Sequence, residues 1–553
     1  MKRISILSAS IVVGALLICS LPMLAADNSS PAPEVGHALR FAVSPPLSEL
    51  AKLPQAPHYG FHLAYPPRPV PKPAAGQVVD PVLQTSTLPS SNYSVGLSLL
   101  GVGNGFGNYS VPDAPTDVNI GIGDTQIVQW VNVSYAVFDK ATGNTLAGPI
   151  EGNLLWSALG GPCAANNSGD IIAQWDRAAH RWLLSQPVFT GPPYYTCIAV
   201  STSADALGTY YLYQYSQGNL FPDFPKIGVW SNGYYQTQNL FNGGSYLAPK
   251  VCGYDRSKLL VGDSSALQIC FTLDAGDGGV VPADIDSPVP PPANEDEFFV
   301  TIWDTTHLSL YSMHADFVNP NNSSITGANG SQQLLVPSFT PACYFQGGGG
   351  FGGNCVPQQG VTDQLEVLGY NAEYRLAYYD DTPTANATAT PPLPAPLQHM
   401  LVVHAAQVGS ANTAPRWYEL TASQHRVPVT AFGLFQSGTY APDNNDRWMD
   451  SIARDKKHNI LLGYSLSSST LHPSIAVAGR ILTDTLGTLE PELVLVNGTG
   501  SQTDTSNRWG DYTSMRLDPS DNCTFWYSNQ YYMVTASFDW STNLSSVKFS
   551  NCQ

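Results

Sequence analysis

The strongest constraint on how this chain can fold is a loose internal repeat. Its plainest copies are Arg447-Trp448-Met449-Asp450 and Arg508-Trp509-Gly510-Asp511. Each precedes a short alternating strand, a polar turn and a second, more apolar or aromatic strand. In the first copy Ser451-Ile452-Ala453 leads through Asp455-Lys456-Lys457-His458-Asn459 to Ile460-Leu461-Leu462-Gly463-Tyr464. In the second, Tyr512 to Leu517 leads through Asp518-Pro519-Ser520-Asp521-Asn522 to Thr524-Phe525-Trp526-Tyr527. Alternation on both sides of a turn-rich segment is the pattern of a hairpin. Weaker copies open at Asp117, Asp170, Asp223 and Asp363, the last with a turn at Asn371-Ala372-Glu373, and a blurred copy begins near Asp296. Units spaced by roughly fifty to ninety residues fall in the period range of propellers rather than helical solenoids. Room for further strands, as at Ser134-Tyr135-Ala136-Val137-Phe138, predicts an all-β chain: a single β-propeller of about seven four-stranded blades over residues 78–553.

Charged residues are sparse while Gly, Pro, Tyr, Asn, Ser and Thr are abundant, which suits short strands and tight turns and argues against helical bundles. Three insertions read as surface loops: Asp274 to Glu297, acidic and proline-rich; Gln346 to Asn354, almost all glycine; and Asp380 to Gln398. Long loops on a rigid scaffold often carry function. Closure of the ring falls to Val95 to Val102 or to the tail Ser546 to Phe549.

Lys2 and Arg3 followed by an apolar stretch and the small residues Ala25 and Ala26 form a secretory signal peptide over residues 1–26. Ser8, Ser10, Ser20 and Pro22 interrupt the apolar stretch, which argues against a retained membrane anchor. Residues 27–77 are crowded with prolines and predict an extended leader outside the core. A secreted or periplasmic location follows, and the eight cysteines beyond the signal read as disulfides. They fall into sequential couples, predicting Cys163 with Cys197, Cys252 with Cys270, Cys343 with Cys355 and Cys523 with Cys552. A zinc site would want closer spacing or nearby histidines. The net charge of −18, or −20 once Lys2 and Arg3 leave, makes nucleic acid and anionic membrane poor partners.

The stretches Thr125 to Asn132, Asp205-Ala206-Leu207-Gly208-Thr209-Tyr210, Phe221-Pro222-Asp223-Phe224-Pro225-Lys226 and Arg508 to Tyr512 resemble a family of secreted bacterial proteins with a sialidase-like or generic propeller fold. The similarity runs from about Pro112 to Cys552. It implies that fold and no particular activity. The Ser-x-Asp-x-Gly-x-Thr-Trp boxes of true sialidases do not occur, which sets sialic acid cleavage aside.

In a propeller, residues opening successive units converge at one end of the axis. Asp117, Asp170, Asp223, Asp363, Asp450 and Asp511 would then form a carboxylate ring, joined by Arg447 and Arg508. Crowded carboxylates raise one another's pKa and suit glycoside cleavage, with Asp450 and Asp511 as catalytic candidates, or a calcium ion. The competing explanation is that each Asp caps its own turn, which accounts for recurrence in every blade more simply than one site does. Arg447 and Arg508 with Trp448 and Trp509 would clamp an acidic sugar, or else fill blades and pair with neighbouring acids. His307, His314, His404 and His472 are scattered candidate bases. Asp274, Asp277, Asp284 and Asp286 lack the spacing of a calcium loop and read as a solvated segment. Motifs of zinc proteases, α/β-hydrolases and nucleotide enzymes do not occur. The expectation is an extracellular protein that binds a glycan or surface ligand on its axial face. The alternative is a secreted glycoside hydrolase or polysaccharide lyase using the axial carboxylates. Calcium is the one cofactor the acids would suit.

Overall fold

The computed structural model describes residues 31–54, 78–112, 114–344, 353–369, 371–382, 397–409 and 411–553. The signal peptide, most of the second half of the proline-rich leader, and large parts of the glycine-rich and 380–398 insertions lie outside the described residues. Within them the chain is nearly all β.

Most strands belong to consecutive antiparallel meanders. The first comprises Val118–Ile122, Gln126–Val131, Ser134–Asp139 and Thr145–Glu151. The second comprises Ile172–Asp176, Arg181–Val188, Tyr194–Ser201 and Tyr210–Gly218, and the third Phe221–Val229, Gly233–Asn242, Ser245–Asp255 and Leu267–Thr272. The fourth begins with Val281–Ile285, Glu297–Ile302 and His307–His314. The fifth is Leu376–Asp380, Gln398–Val408, Asn412–Ala422 and Gly433–Tyr440, joined to the fourth by a parallel pairing of their first strands. The sixth is Asp446–Arg454, Ile460–Ser468, Leu471–Arg480 and Leu493–Val496. The seventh combines Ser514–Leu517, Thr524–Tyr532 and Trp540–Phe549 with Tyr93–Leu100, so residues distant in sequence complete one sheet. First strands of successive meanders touch in order, and Ser514–Leu517 touches Val118–Ile122.

Strand alternation explains how meanders stack. Leu184 packs with Trp130, Tyr135 and Val137 toward the first sheet, whereas its neighbour Leu183 packs with Tyr234, Cys252 and Tyr254 toward the third. Consecutive side chains of a strand point to opposite faces, so both faces of an inner sheet are apolar. Each such side chain contributes about 1.5–3 kcal/mol on burial.

Two expectations are corrected. The leader is not wholly outside the core. Glu34–His37 pairs with Leu267–Thr272, Arg40–Val43 pairs with Tyr210–Gly218, and Leu47 and Leu50 are buried. No proline falls between Pro33 and Pro45, so this stretch keeps its backbone donors. Likewise Asp274 to Glu297 is no simple surface loop: it contains the first strand of the fourth meander, Val281–Ile285. Asp284 and Asp286 are buried against Arg375, at 2.7 Å each, and Asp277 accepts from Tyr311 at 2.7 Å. These three acids are therefore not part of a solvated segment, whereas Asp274 is exposed as expected.

The disulfides are Cys163–Cys197, Cys252–Cys270, Cys343–Cys355 and Cys523–Cys552, the sequential couples expected. Cys523–Cys552 fastens the tail to the seventh sheet.

Candidate axial site

Local backbone geometry explains why acids recur where the innermost strands start. Asp117 and Asp170 each have φ of 47°, in the left-handed region that Asp tolerates better than most side chains. In the third and sixth meanders the register slips between Asp223 and Lys226 and between Trp448 and Ser451. Bulges of this kind re-aim side chains at the rims of sheets.

These starts bring Asp117, Asp170 and Asp511 together, with one oxygen from each lying within 4.8 Å of the others. The Asp511 backbone N–H donates to Asp117 Oδ1 at 2.8 Å. Arg508 pairs with Asp511 and, through Nε at 2.6 Å, with Glu366 Oε2. Lys226 is buried, its Nζ 3.5 Å from the Phe224 ring centroid and 4.1 Å from that of Tyr512. Burial pulls the lysine's pKa down, opposed by the charges of Asp170, Asp511, Asp117 and Asp223.

The same low-dielectric setting acts on the acids. Burial, then the Asp511 charge, pushes Asp170 up to about 6 against Lys226. Burial pushes Glu366 up to about 7 despite Arg508. Asp223, partly open to solvent, is raised by desolvation and by Asp170 and Asp511. Asp450 is raised by burial alone, and Glu373 by burial and then by the Asp450 charge, with Lys226 opposing. Neither the Asp450 nor the Glu373 carboxylate receives a hydrogen bond from a described residue. The rim over this floor consists of Asp223, Glu366, Arg508 and Asp511, which all keep some exposure.

Toward the other ends of the same strands, Arg375 holds Asp284 and Asp286, and Arg516 pairs with Asp284. Tyr374 accepts from Arg516 at 2.6 Å and from Gln174 at 2.9 Å. Asp284 and Arg516 lie toward the later residues of their strands and Asp286 just past the end of its strand, whereas Tyr374 and Arg375 directly follow Glu373 and precede Leu376–Asp380, so this network adjoins the acid floor.

Several expected site residues lie elsewhere. Asp363 belongs to the connection before Leu365–Glu366, and the acid opening the fifth meander is Glu373, which the sequence placed in a turn. Arg447 is fully buried and bound bidentately by Glu492 at 2.8 and 2.9 Å, with Asp443 at 2.9 Å. Trp448 and Trp509 pack together at 5.5 Å inside the core, so neither presents a ring to a ligand. The histidines stay dispersed: His307 meets Asp304, His314 meets Asp296 and His472 meets Ser501, while His404 is buried against Tyr418 and desolvation drives it down to about 3. Sequence reasoning missed Lys226, Glu366 and Glu373. Glu373 carried a signal, an acid shortly before an apolar strand as at Asp450; Glu366 carried none.

No protein-family model matches the sequence, and no curated protein matches it. Among solved structures the chain is similar to an endo-arabinase from Bacteroides thetaiotaomicron, at 12% identity over 58% of this chain and 95% of that one, with a TM-score of 0.25. It is also similar to an alpha-L-arabinofuranosidase from Podospora anserina in complex with cellotriose, at 9% identity over 59% and 90%, TM-score 0.23. A neuraminidase-like protein of A/flat-faced bat/Peru is matched at 10% identity over 78% and 100%, TM-score 0.22. Likeness at this level assigns neither fold nor chemistry, and the site rests on its own geometry.

Proposed function

We propose that the chain is an exported, seven-bladed β-propeller that binds an extracellular glycan at its axial acidic mouth. The seven meanders and the contact of the last first-strand with the first support the blade count. Four disulfides suit an oxidising compartment. No helix among the described residues is long and apolar enough to cross a membrane.

The observation that carries the binding reading is the half-open rim of Asp223, Glu366, Asp511 and Arg508 over a buried acid floor. Such a mouth offers many hydrogen-bond acceptors and, in Arg508, one accessible charged donor group. Its best ligand is rich in donors and carries no negative charge: sugar hydroxyls, or an amino sugar. Uronic and sialic acids are disfavoured by the same surplus of carboxylates. With Arg447, Trp448 and Trp509 enclosed, the mouth contains no clamp for an acidic sugar.

Cleavage is the second reading, favoured by Glu366, whose pKa of about 7 suits a general acid beside Asp511. Against it, Arg508 pairs with both Glu366 and Asp511 and so engages the two acids that cleavage would need free. The test is to incubate the purified mature chain with immobilised neutral and amino polysaccharides and to score retention and product release together. Retention without product, weakened about 10-fold or more by Asp511→Asn, is expected. Product release abolished by Glu366→Gln in a folded variant would establish cleavage instead, and retention on acidic polysaccharides alone would contradict the ligand class.

A further inference from the structure

The first strands of the second, third and fourth meanders end, at Asp176, Val229 and Ile285, around a cleft of about 200 Å³. The proline-rich segment that follows Ile285 supplies the rest of one side. The polar groups of the lining are tied back into the protein. Asp176 accepts from Tyr234 Oη at 2.8 Å and from Arg256 at 2.5 and 2.9 Å. Trp230 Nε1 donates to Glu295 O at 3.1 Å, Ser231 Oγ to Pro291 O at 2.5 Å and Ser287 Oγ to Val289 O at 2.7 Å. The lining is otherwise largely apolar, from Val229, Trp230, Ile285, Pro290, Pro291 and Ala293. The Trp230 ring is held by Phe298 and Tyr378, with centroids at 5.8 and 4.7 Å. An apolar cavity of ~150 Å³ takes up benzene, so this cleft has room for one aromatic ring and a carboxyl group.

The charge beside the cleft is opposite in sign to that of the chain as a whole. Arg177 lines both the cleft and a small neighbouring recess that it shares with Asp284, Asp286 and Arg516. Its guanidinium donates to neutral oxygens, the carbonyls of Asp286 and Pro519 and the Asn522 side chain, and pairs with no carboxylate among the described residues. Those three bonds leave two of the five N–H donors of an arginine unused. The acids around it are committed elsewhere. Arg375 holds both Asp286 oxygens, at 2.6 and 2.7 Å, while Asp518 accepts from Lys140 at 2.7 Å and Asp124 meets His180 at 2.6 Å. Asp284 is shared by Arg375 and Arg516. Three guanidiniums, of Arg177, Arg375 and Arg516, thus meet two carboxylates, of Asp284 and Asp286, which leaves one positive charge in a chain of net charge −18. Burial pushes the neighbouring Glu297 well up, so that acid does not cancel the excess.

From this geometry we infer that the cleft is a second ligand site, for a small aromatic carboxylate whose ring lies against Trp230, Pro290 and Pro291 and whose carboxylate meets Arg177. Rigid indole and pyrrolidine walls give a flat ring contact area at little cost in side-chain entropy. A planar guanidinium with spare donors suits a carboxylate, and one unanswered positive charge suits a monoanion. The inference concerns the cleft alone and stands whether or not a glycan occupies the acidic mouth.

The full mature chain would be titrated with 4-fluorophenylacetate and followed by fluorine NMR. One saturable site is expected, from which unlabelled phenylacetate displaces the probe at least about 10-fold better than the neutral phenylacetamide does. Arg177→Gln should weaken the acid by a similar factor and leave the amide nearly unchanged, so that the preference for the charged ligand disappears. Should Arg177→Gln fail to fold, Ala293→Trp, at the exposed lip of the cleft, should weaken acid and amide alike. Absence of saturable binding, equal affinity for acid and amide, or an acid preference that survives Arg177→Gln would overturn the site. So would loss of acid and amide together in a folded Arg177→Gln chain, or binding that Ala293→Trp leaves unchanged.

Discussion

Asp170 and Glu366 illustrate what enclosure does to single carboxyls. Both have pKa values well above the usual carboxylate range, about 6 and about 7, chiefly because burial disfavours the charged form. Such a group stabilises the fold fully below its unfolded pKa of about 4, and that contribution is lost as pH rises through its folded value. For Asp170 the shift corresponds to about 3 kcal/mol. The melting temperature of the chain should therefore fall as pH is raised from 4 to 8, and the fall should be smaller in Asp170→Asn. Calorimetric melts across that range provide the check, and a melting temperature that rises with pH would contradict the enclosure of these acids. Glu373 and Asp450 share the direction of shift, through burial first.

At the scale of elements, the hairpins at Asp450 and Asp511 were plain in sequence because apolar alternation flanks a polar turn. Val281–Ile285 was hidden, since Asp277, Gly278, Gly279 and Pro282 crowd a five-residue strand and the prolines from 288 onward continue the impression of a loop. Its parallel pairing with Leu376–Asp380 begins only at Ala283, so Pro282 lies ahead of that ladder and is tolerated there. The axial acids were legible where Asp opens a unit, at Asp117, Asp170, Asp223, Asp450 and Asp511. They were not legible at Glu366, which reaches Arg508 from a short ribbon far away in sequence. Trp448 and Trp509 could be read as ligand platforms or as blade fillers because sequence cannot tell an inward aromatic from an outward one at a bulge. The leader's contribution makes a separate prediction. Leu47 is fully buried beneath the second sheet, so Leu47→Ala should cost about 2–5 kcal/mol in denaturant unfolding. An unchanged midpoint would mean that this segment does not dock on the sheets.

For the whole molecule, tying Tyr93–Leu100 onto Trp540–Phe549 makes the two distant parts of the chain one sheet, and Cys523–Cys552 fastens the tail beside it. Successive first strands touch one another in order, with acids gathered at the starts of several of them and Asp284, Asp286 and Arg516 toward their later residues, held in part by Arg375. A cleft of about 200 Å³ lined by Trp230, Pro290, Pro291 and Arg256 lies at the end where Ile285 and Asp176 emerge, away from the acid mouth. The two ends therefore offer distinguishable ligand positions. The most direct test is a crystal structure of the mature chain with the shortest oligosaccharide that competes with polysaccharide retention. Sugar density against Asp511, Arg508, Glu366 and Asp223 is the predicted result; density in the Trp230 cleft, with the acidic mouth empty of sugar, would contradict the account.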